Sequence, residues 1–249
     1  MNSNDNLKML AKRAFNKIGR PFGINPFPRA FPNALLSDAV DASEIFDHVY
    51  RENYWGSAKS RSGVGSETTF TESYRKHLQA LLVSRECHRL FDAPSGDLNW
   101  MSRLIADTGI DYAGGDISAL VVDEVRRQYP QIDVRVFDIT SDAFPDADVW
   151  HCRDCLFHLP FSAIRAAMEN FVRSEIPFAL LTTHKSWLMH SNLDVPMGGF
   201  RFLDLQQAPF SLPRALAYLP DYRWGRDFPR YVGLWSREQI AAALADWQG

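Results

Sequence analysis

Acids and one glycine, set at the intervals of a repeating strand and helix unit, are the residues of this chain best placed to do chemistry. The stretch Leu90 to Asp116 reads LFDAPSGDLNWMSRLIADTGIDYAGGD. A short apolar run ends in Asp92, the chain turns through Pro94, Ser95 and Gly96, an apolar-periodic segment follows, and a second acid arrives at Asp116. The order is strand, tight turn, helix, strand, acid. Such a unit suits a nucleoside, because a Gly after the strand lets a ligand approach the backbone and an acid about 20 residues on can accept from a ribose diol. Asp116 stands twenty positions after Gly96. The plainer use of Asp116 is as an acid facing the dipole of the next helix. DAPSGDLNW offers one Gly where a pyrophosphate cradle needs three, so a nucleoside without a diphosphate fits better than a dinucleotide.

Three later runs end in groups of the same kind. DVRVFD closes on Asp138, ADVWHC leads into HCRDCLFHL, and FALLTT leads into His184. His151, Cys152, Cys155 and His158 are all possible zinc ligands, but no second CxxC pair exists and strand alternation turns His151 and Cys152 to opposite faces. Arg153 and Asp154 are therefore expected to line a pocket at the strand end, with the region up to His158 facing a substrate. Leu156, Phe157 and Leu159 surround His158, so a packed histidine is the alternative. An unperturbed histidine pKa of ~6.5 suits proton exchange near neutrality. Among Asp154, His158 and His184, the base is placed at His184, because TTH leads straight into the segment expected to grip the substrate. A loop hydrogen bond is the competing role for His184.

The elements that must position these groups alternate as a doubly wound sheet requires. Helix is expected over 119–129 and 162–173, and strand over 133–138, 147–152 and 178–183, with prolines at the junctions. A last strand spans Tyr231 to Trp235, and Ser236 with Gln239 three positions on caps a final helix. Residues 185–229 break the rhythm with glycines, prolines and aromatics, as a late substrate insertion would. Ahead of the sheet, residues 4–18 have helical spacing and Gly19 to Pro32 should form an extended connection. Glu44 to Tyr54 suggests a helix leading into Tyr54, Trp55 and Gly56. The polar loop SAKSRSGVGSETTFT follows. It is either a mere connection or, with Trp55 and Arg61, a cover for the carboxylate and ring of a cofactor. Thr69 and Glu72 have capping-box spacing ahead of Tyr74, Leu78, Leu81 and Leu82. The division expected is an N-terminal helical lid region over 1–86 and a nucleoside-binding domain over 87–249, with its insertion at about 185–229.

Bulk properties exclude several classes. With 249 residues, 46% hydrophobic and 23% charged, the chain can form one sizeable α/β core. A net charge of −3 gives no reason to expect a nucleic-acid partner. No run approaches the ~18 apolar residues of a membrane span. Three cysteines without a disulfide framework, and a first stretch without a signal-peptide core, lead to the expectation of a cytoplasmic protein with reduced thiols.

The first loop, acid then small residues then Gly, resembles that of the class I (Rossmann-like) S-adenosylmethionine-dependent methyltransferases, matching at Asp92, Gly96 and Asp97. Pro94 and Asn99 stand where more typical members carry glycines. NYWGS, SGVGS, DAPSGD, CRDCLFHL and GGFRFLDLQQAPF resemble a recurring pattern in a bacterial subgroup of these enzymes, over about residues 45–235. The resemblance implies S-adenosylmethionine as cofactor, Asp116 on the ribose, Asp138 accepting from the adenine amino group and Ile139 beside the ring. Pro94, Trp100, Gly115, Ile117 and Arg153 join this cofactor-binding set. It implies methyl transfer to a small molecule or glycan, with a hydroxyl as the expected acceptor. The readings set against it are a nicotinamide-dependent oxidoreductase and a catalytically silent cofactor-binding module that regulates a partner.

Overall fold

A computed structural model of the chain describes residues 41–185, 191–222 and 229–247. Seven strands form one sheet: β1 (Arg89–Asp92), β2 (Asp111–Asp116), β3 (Asp133–Val136), β4 (Val149–Cys152), β5 (Phe178–His184), β6 (Ala217–Pro220) and β7 (Arg230–Ser236). Their order is β3-β2-β1-β4-β5-β7-β6. β1 to β5 run parallel, and β7 enters antiparallel to both β5 and β6. This is the doubly wound, mostly parallel architecture expected. The progression of strand order reverses between β1 and β4, and ligands bind at such a switch point, outside the carboxyl ends of the strands.

Strand periodicity sorts the core into two layers. Val149 and Leu180 join Tyr74, Leu78, Leu90, Leu104 and Val232 on one face. Their neighbours Trp150, Ala179 and Leu181 join Phe91, Phe171 and Trp235 on the other. Both faces are covered, which is why the central strands are nearly continuous in apolar residues.

The described α-helices are α1 (Ala42–Arg51), α2 (Thr68–Ser84), α3 (Met101–Thr108), α4 (Ala119–Gln128), α5 (Phe161–Arg173) and α6 (Arg237–Asp246), with short 3-10 turns at Val64–Ser66 and Leu156–His158. Ser118 caps α4 by accepting from Val121 N, and α6 begins with the capping box of Ser236 and Gln239 read from sequence. The box read at Thr69 is not formed. α2 starts two residues earlier than that box requires, its N-cap is Glu67, and Glu72 pairs instead with Arg75 and Lys76 on the exposed face.

Other boundaries move by the same local logic. β3 stops at Val136, two residues short of Asp138, because Asp138 folds its carboxyl back onto Thr140. β4 begins at Val149, since Asp148 turns to accept from the amides of His88 and Arg89. The segment 185–229 is not wholly irregular, for it carries the edge strand β6. The division at residue 86 does not separate α2 from the sheet, because Tyr74, Leu78 and Leu82 are buried in the same layer as Leu90 and Val149. The helix expected over 4–18 and the connection after it lie outside the described residues.

Gly115 in β2 shows how tightly this frame is packed, since a Cβ there would sit 2.7 Å from Phe137 Cβ and 3.2 Å from Phe91 Cζ. Gly115→Ala should therefore lower folding stability by about 1–3 kcal/mol, the usual cost of overpacking. Urea unfolding of the variant beside the parent checks this.

Candidate functional site

A cavity of about 370 Å³ opens at the carboxyl ends of β1, β2 and β4. Its volume lies in the range of small-ligand pockets, which run roughly 300–1,000 Å³. Asp92, Pro94, Gly96, Asp97 and Trp100 from the first loop line it, with Asp116 and Ile117 after β2 and Asp138 and Ile139 after β3. Arg153, Asp154 and His158 after β4 and Trp55 from the N-terminal side complete the sequence-predicted residues on its wall.

Asp116 anchors the ligand edge. It is buried, and its two oxygens accept from Gly96 N at 3.1 Å and Ser118 N at 3.0 Å. Burial pushes its pKa up to about 6 against those two hydrogen bonds. Gly96 has φ +57°, and a Cβ on it would meet Ser62 Oγ at 2.4 Å, so only Gly allows the turn and the close covering loop together.

The covering loop is the polar segment after Trp55. Ser60 Oγ, Arg61 N and Ser62 Oγ all donate to the Asp97 carboxyl, at 2.8, 2.8 and 3.1 Å. Asp97 N returns a bond to Ser62 Oγ, and Asn99 Nδ2 donates to Ser66 O. Asp97 thus ties loop to loop, and the wall gains Ser62 and Ser66 in place of the expected Arg61. The Arg61 side chain turns away because its guanidinium donates to Tyr50 O at the end of α1. Gly115 is a packing residue whose carbonyl accepts from Ser95 N, and it does not reach the cavity.

Asp92 faces a partner that the sequence reading did not assign. Its Oδ1 lies 2.6 Å from His151 Nδ1, Tyr112 OH donates to its Oδ2 at 3.0 Å, and His151 Nε2 is 2.8 Å from Tyr74 OH. Asp92 and His151 are register partners on β1 and β4, a pairing that appears only once the strand order is known. With both His151 nitrogens engaged, the zinc reading loses its first ligand. No group of three or more His, Cys, Asp or Glu able to hold a metal ion occurs among the described residues.

At the end of β4 a closed ionic lattice forms. Arg153 donates bidentately to Asp221 through Nε and Nη2, both at 2.9 Å, and to Gly65 O at 3.0 Å, while its plane lies over Tyr74, Trp100 and Tyr222. Arg230 Nη1 donates to both Asp154 oxygens at 3.0 Å. Burial works against charge at Asp154, yet the Arg230 and Arg153 guanidiniums outweigh it and hold the carboxyl below its ordinary value. Asp154 is therefore a poor proton acceptor.

The two histidines are placed differently from the sequence reading. His184 is buried between the Phe157 and Phe202 rings and does not line the cavity. Its Nδ1 faces the Leu203 backbone, 3.2 Å from the amide N and 3.4 Å from the carbonyl O, and its burial away from the cavity wall keeps the ring from a substrate held there. His158 lines the cavity beside Trp55, with ring centroids 5.5 Å apart. Its Nδ1–H donates to Gly199 O at 2.6 Å, which leaves the lone pair on Nε2. Burial pushes its pKa down to about 4, so the ring is neutral at neutral pH.

Solved structures share this frame. Magnesium protoporphyrin IX methyltransferase (ChlM) from Synechocystis PCC 6803 with bound SAH is similar with a TM-score of 0.55 at 14% identity, over 79% of this chain and 100% of that one. The methyltransferase domain of bacterial CtHen1 is similar with a TM-score of 0.52 at 13% identity, over 67% of this chain and 99% of that one. The chain has the class I methyltransferase fold. No family model matches it, and no curated protein matches it.

The lattice should be the most sensitive point of the site. Asp221→Ala leaves the Arg153 guanidinium buried without its bidentate partner, and breaking such a pair costs about 3–5 kcal/mol. A denaturant midpoint within error of the parent's would show that Arg153 finds another partner.

Proposed function

We propose that the protein transfers the methyl group of S-adenosylmethionine to a hydroxyl of a small molecule. The Asp116 carboxyl carries this reading. Each of its oxygens accepts one backbone amide, and a carboxylate has about four acceptor positions, so two remain for a vicinal diol. The first loop also argues against a dinucleotide. Ser95 N donates to Gly115 O, Gly96 N to Asp116, Asp97 N to Ser62 Oγ and Asn99 N to Asp97, so these four amides are not turned to a pyrophosphate. ChlM structures with bound SAM and SAH lend the same support.

Bound S-adenosylmethionine would supply a sulfonium methyl for in-line displacement. Asp116 would hold the ribose, and Asp138, Ile117 and Ile139 the adenine. Ser62, Ser66 and Asn99 offer hydroxyl and amide groups at the covering loop. That loop excludes water, and alignment in a dry site is the main requirement of such a transfer. His158 Nε2 is the base on the cavity wall, its tautomer fixed by Gly199 O.

Titration calorimetry tests the proposal directly. S-adenosylhomocysteine should bind and NAD should not, and tighter binding of NAD would overturn the assignment. Turnover of S-adenosylmethionine with an acceptor separates an enzyme from a silent binding module. Asp116→Ala should weaken S-adenosylhomocysteine at least tenfold, which corresponds to about 1.4 kcal/mol. It should also destabilise the cofactor-free protein, because Gly96 N and Ser118 N lose their acceptor. Protonation of Asp116 removes acceptor capacity, so the parent's affinity should fall about tenfold per pH unit below its pKa of about 6. A flat affinity from pH 7 to 5 would remove Asp116 from the binding set.

His158→Ala should lower kcat by the ~10²–10⁴-fold typical of a lost base, with S-adenosylhomocysteine affinity nearly intact. Since the His158 pKa is near 4, kcat should stay level through neutrality and decline only as pH approaches that value. A parental kcat in a folded His158→Ala variant would mean that His158 is not the base.

A further inference from the structure

We infer that the cavity wall beside His158 receives the flat, uncharged ring of a hydroxyl compound, and that it excludes anionic acceptors and sugars. This rests on the methyl-transfer reading and names its acceptor class. Among the described residues lining the cavity, Arg153 is the one Lys or Arg. Its guanidinium is locked in Asp221 and enclosed by three aromatic rings. Five lining residues are aspartates, Asp92, Asp97, Asp116, Asp138 and Asp154. A carboxylate or phosphate on the acceptor would leave water, meet these aspartates and find no free countercharge among the described lining residues, and burying an unpaired charge is strongly unfavourable.

The shape of the wall narrows the class further. Trp55 is held edge-on by Tyr50, with centroids 5.8 Å apart, and a Cβ at Gly63 would touch its Cβ at 3.0 Å, so the indole is fixed in place. Its ring lies at 33° to His158, and Phe46, Leu159, Pro160 and Met197 continue the surface. These side chains offer breadth for a ring and few hydrogen-bonding groups for the several hydroxyls of a sugar, each of which must be satisfied when buried. One hydroxyl is served, by the neutral His158.

Saturation-transfer NMR with naphthol, hydroxynaphthoate and methyl glucoside, with and without S-adenosylhomocysteine, tests the inference. Naphthol should bind at least tenfold more tightly than either other probe. Met197→Lys places a cation on this wall away from the residues assigned to ribose and adenine, and should narrow the preference for naphthol over hydroxynaphthoate at least tenfold. The parent's comparison of the three probes stands without the variant. Tighter binding of the anion or the sugar, binding of none of the three, or an unchanged ratio in folded Met197→Lys overturns the inference. Failure of S-adenosylhomocysteine to bind would instead overturn the methyl-transfer reading, while the probe comparison still decides the character of the wall.

Discussion

A carboxyl group buried at the end of β2 sets the terms for the ligand edge. Taking Asp116 out of water raises its pKa from 3.8 to about 6, which amounts to a cost of about 3 kcal/mol when it is ionised at neutral pH. Because the folded pKa lies above the unfolded one, the folded state holds its proton more tightly. Stability from this group is lost as pH rises through the window from 3.8 to about 6. The fold limits that cost by bringing Gly96 N and Ser118 N to the two oxygens. Those bonds fix the turn after β1 and the entry to α4 in one stroke, so satisfying the carboxyl also shapes this edge of the cavity.

The same demand for satisfied polar groups explains how the cover closes. Asp97 sits one residue beyond that turn and gathers two hydroxyls and an amide from the loop after Trp55. The far end of that loop is held by Arg153, which donates to Gly65 O while paired with Asp221. A Cβ on Gly65 would come 2.7 Å from Tyr222 Cζ, so the loop backbone lies directly against the ionic lattice. One short segment therefore bridges the carboxyl ends of β1 and β4, and the cavity lies beneath it.

Much of this was legible because strand ends announce themselves. Acids after short apolar runs placed Asp92, Asp116, Asp138 and Asp154 at the edge, and helix and strand periods gave the doubly wound order. What was not legible depends on partners distant in sequence. His151 reads in sequence only as a metal ligand, since its pairing with Asp92 and Tyr74 requires β4 to lie beside β1 and α2 above them. Arg61 has a charge suited to a carboxylate, but its backbone amide, and not its guanidinium, reaches Asp97. β6 is not legible, because four residues ending in Pro220 have too short a pattern to stand out from a proline-rich stretch.

The different placement of His184 and His158 follows from the same physics. Both lie at or after the end of an apolar strand, both are near aromatic rings, and type and spacing alone do not separate them. What separates them is whether the ring reaches the cavity and what its Nδ1 meets. His184 is buried off the cavity, with Nδ1 3.2 Å from Leu203 N and 3.4 Å from Leu203 O. Gly199 presents a carbonyl to His158, which demands the N–H form at Nδ1 and puts the basic lone pair on the other nitrogen. Burial that depresses the His158 pKa keeps that lone pair free of a proton at neutral pH, though it also makes the ring a weaker base. In the methyl transfer proposed, proton transfer would depend on holding the acceptor hydroxyl close to Nε2, so the aromatic wall that orients the acceptor would share the work of catalysis with the histidine.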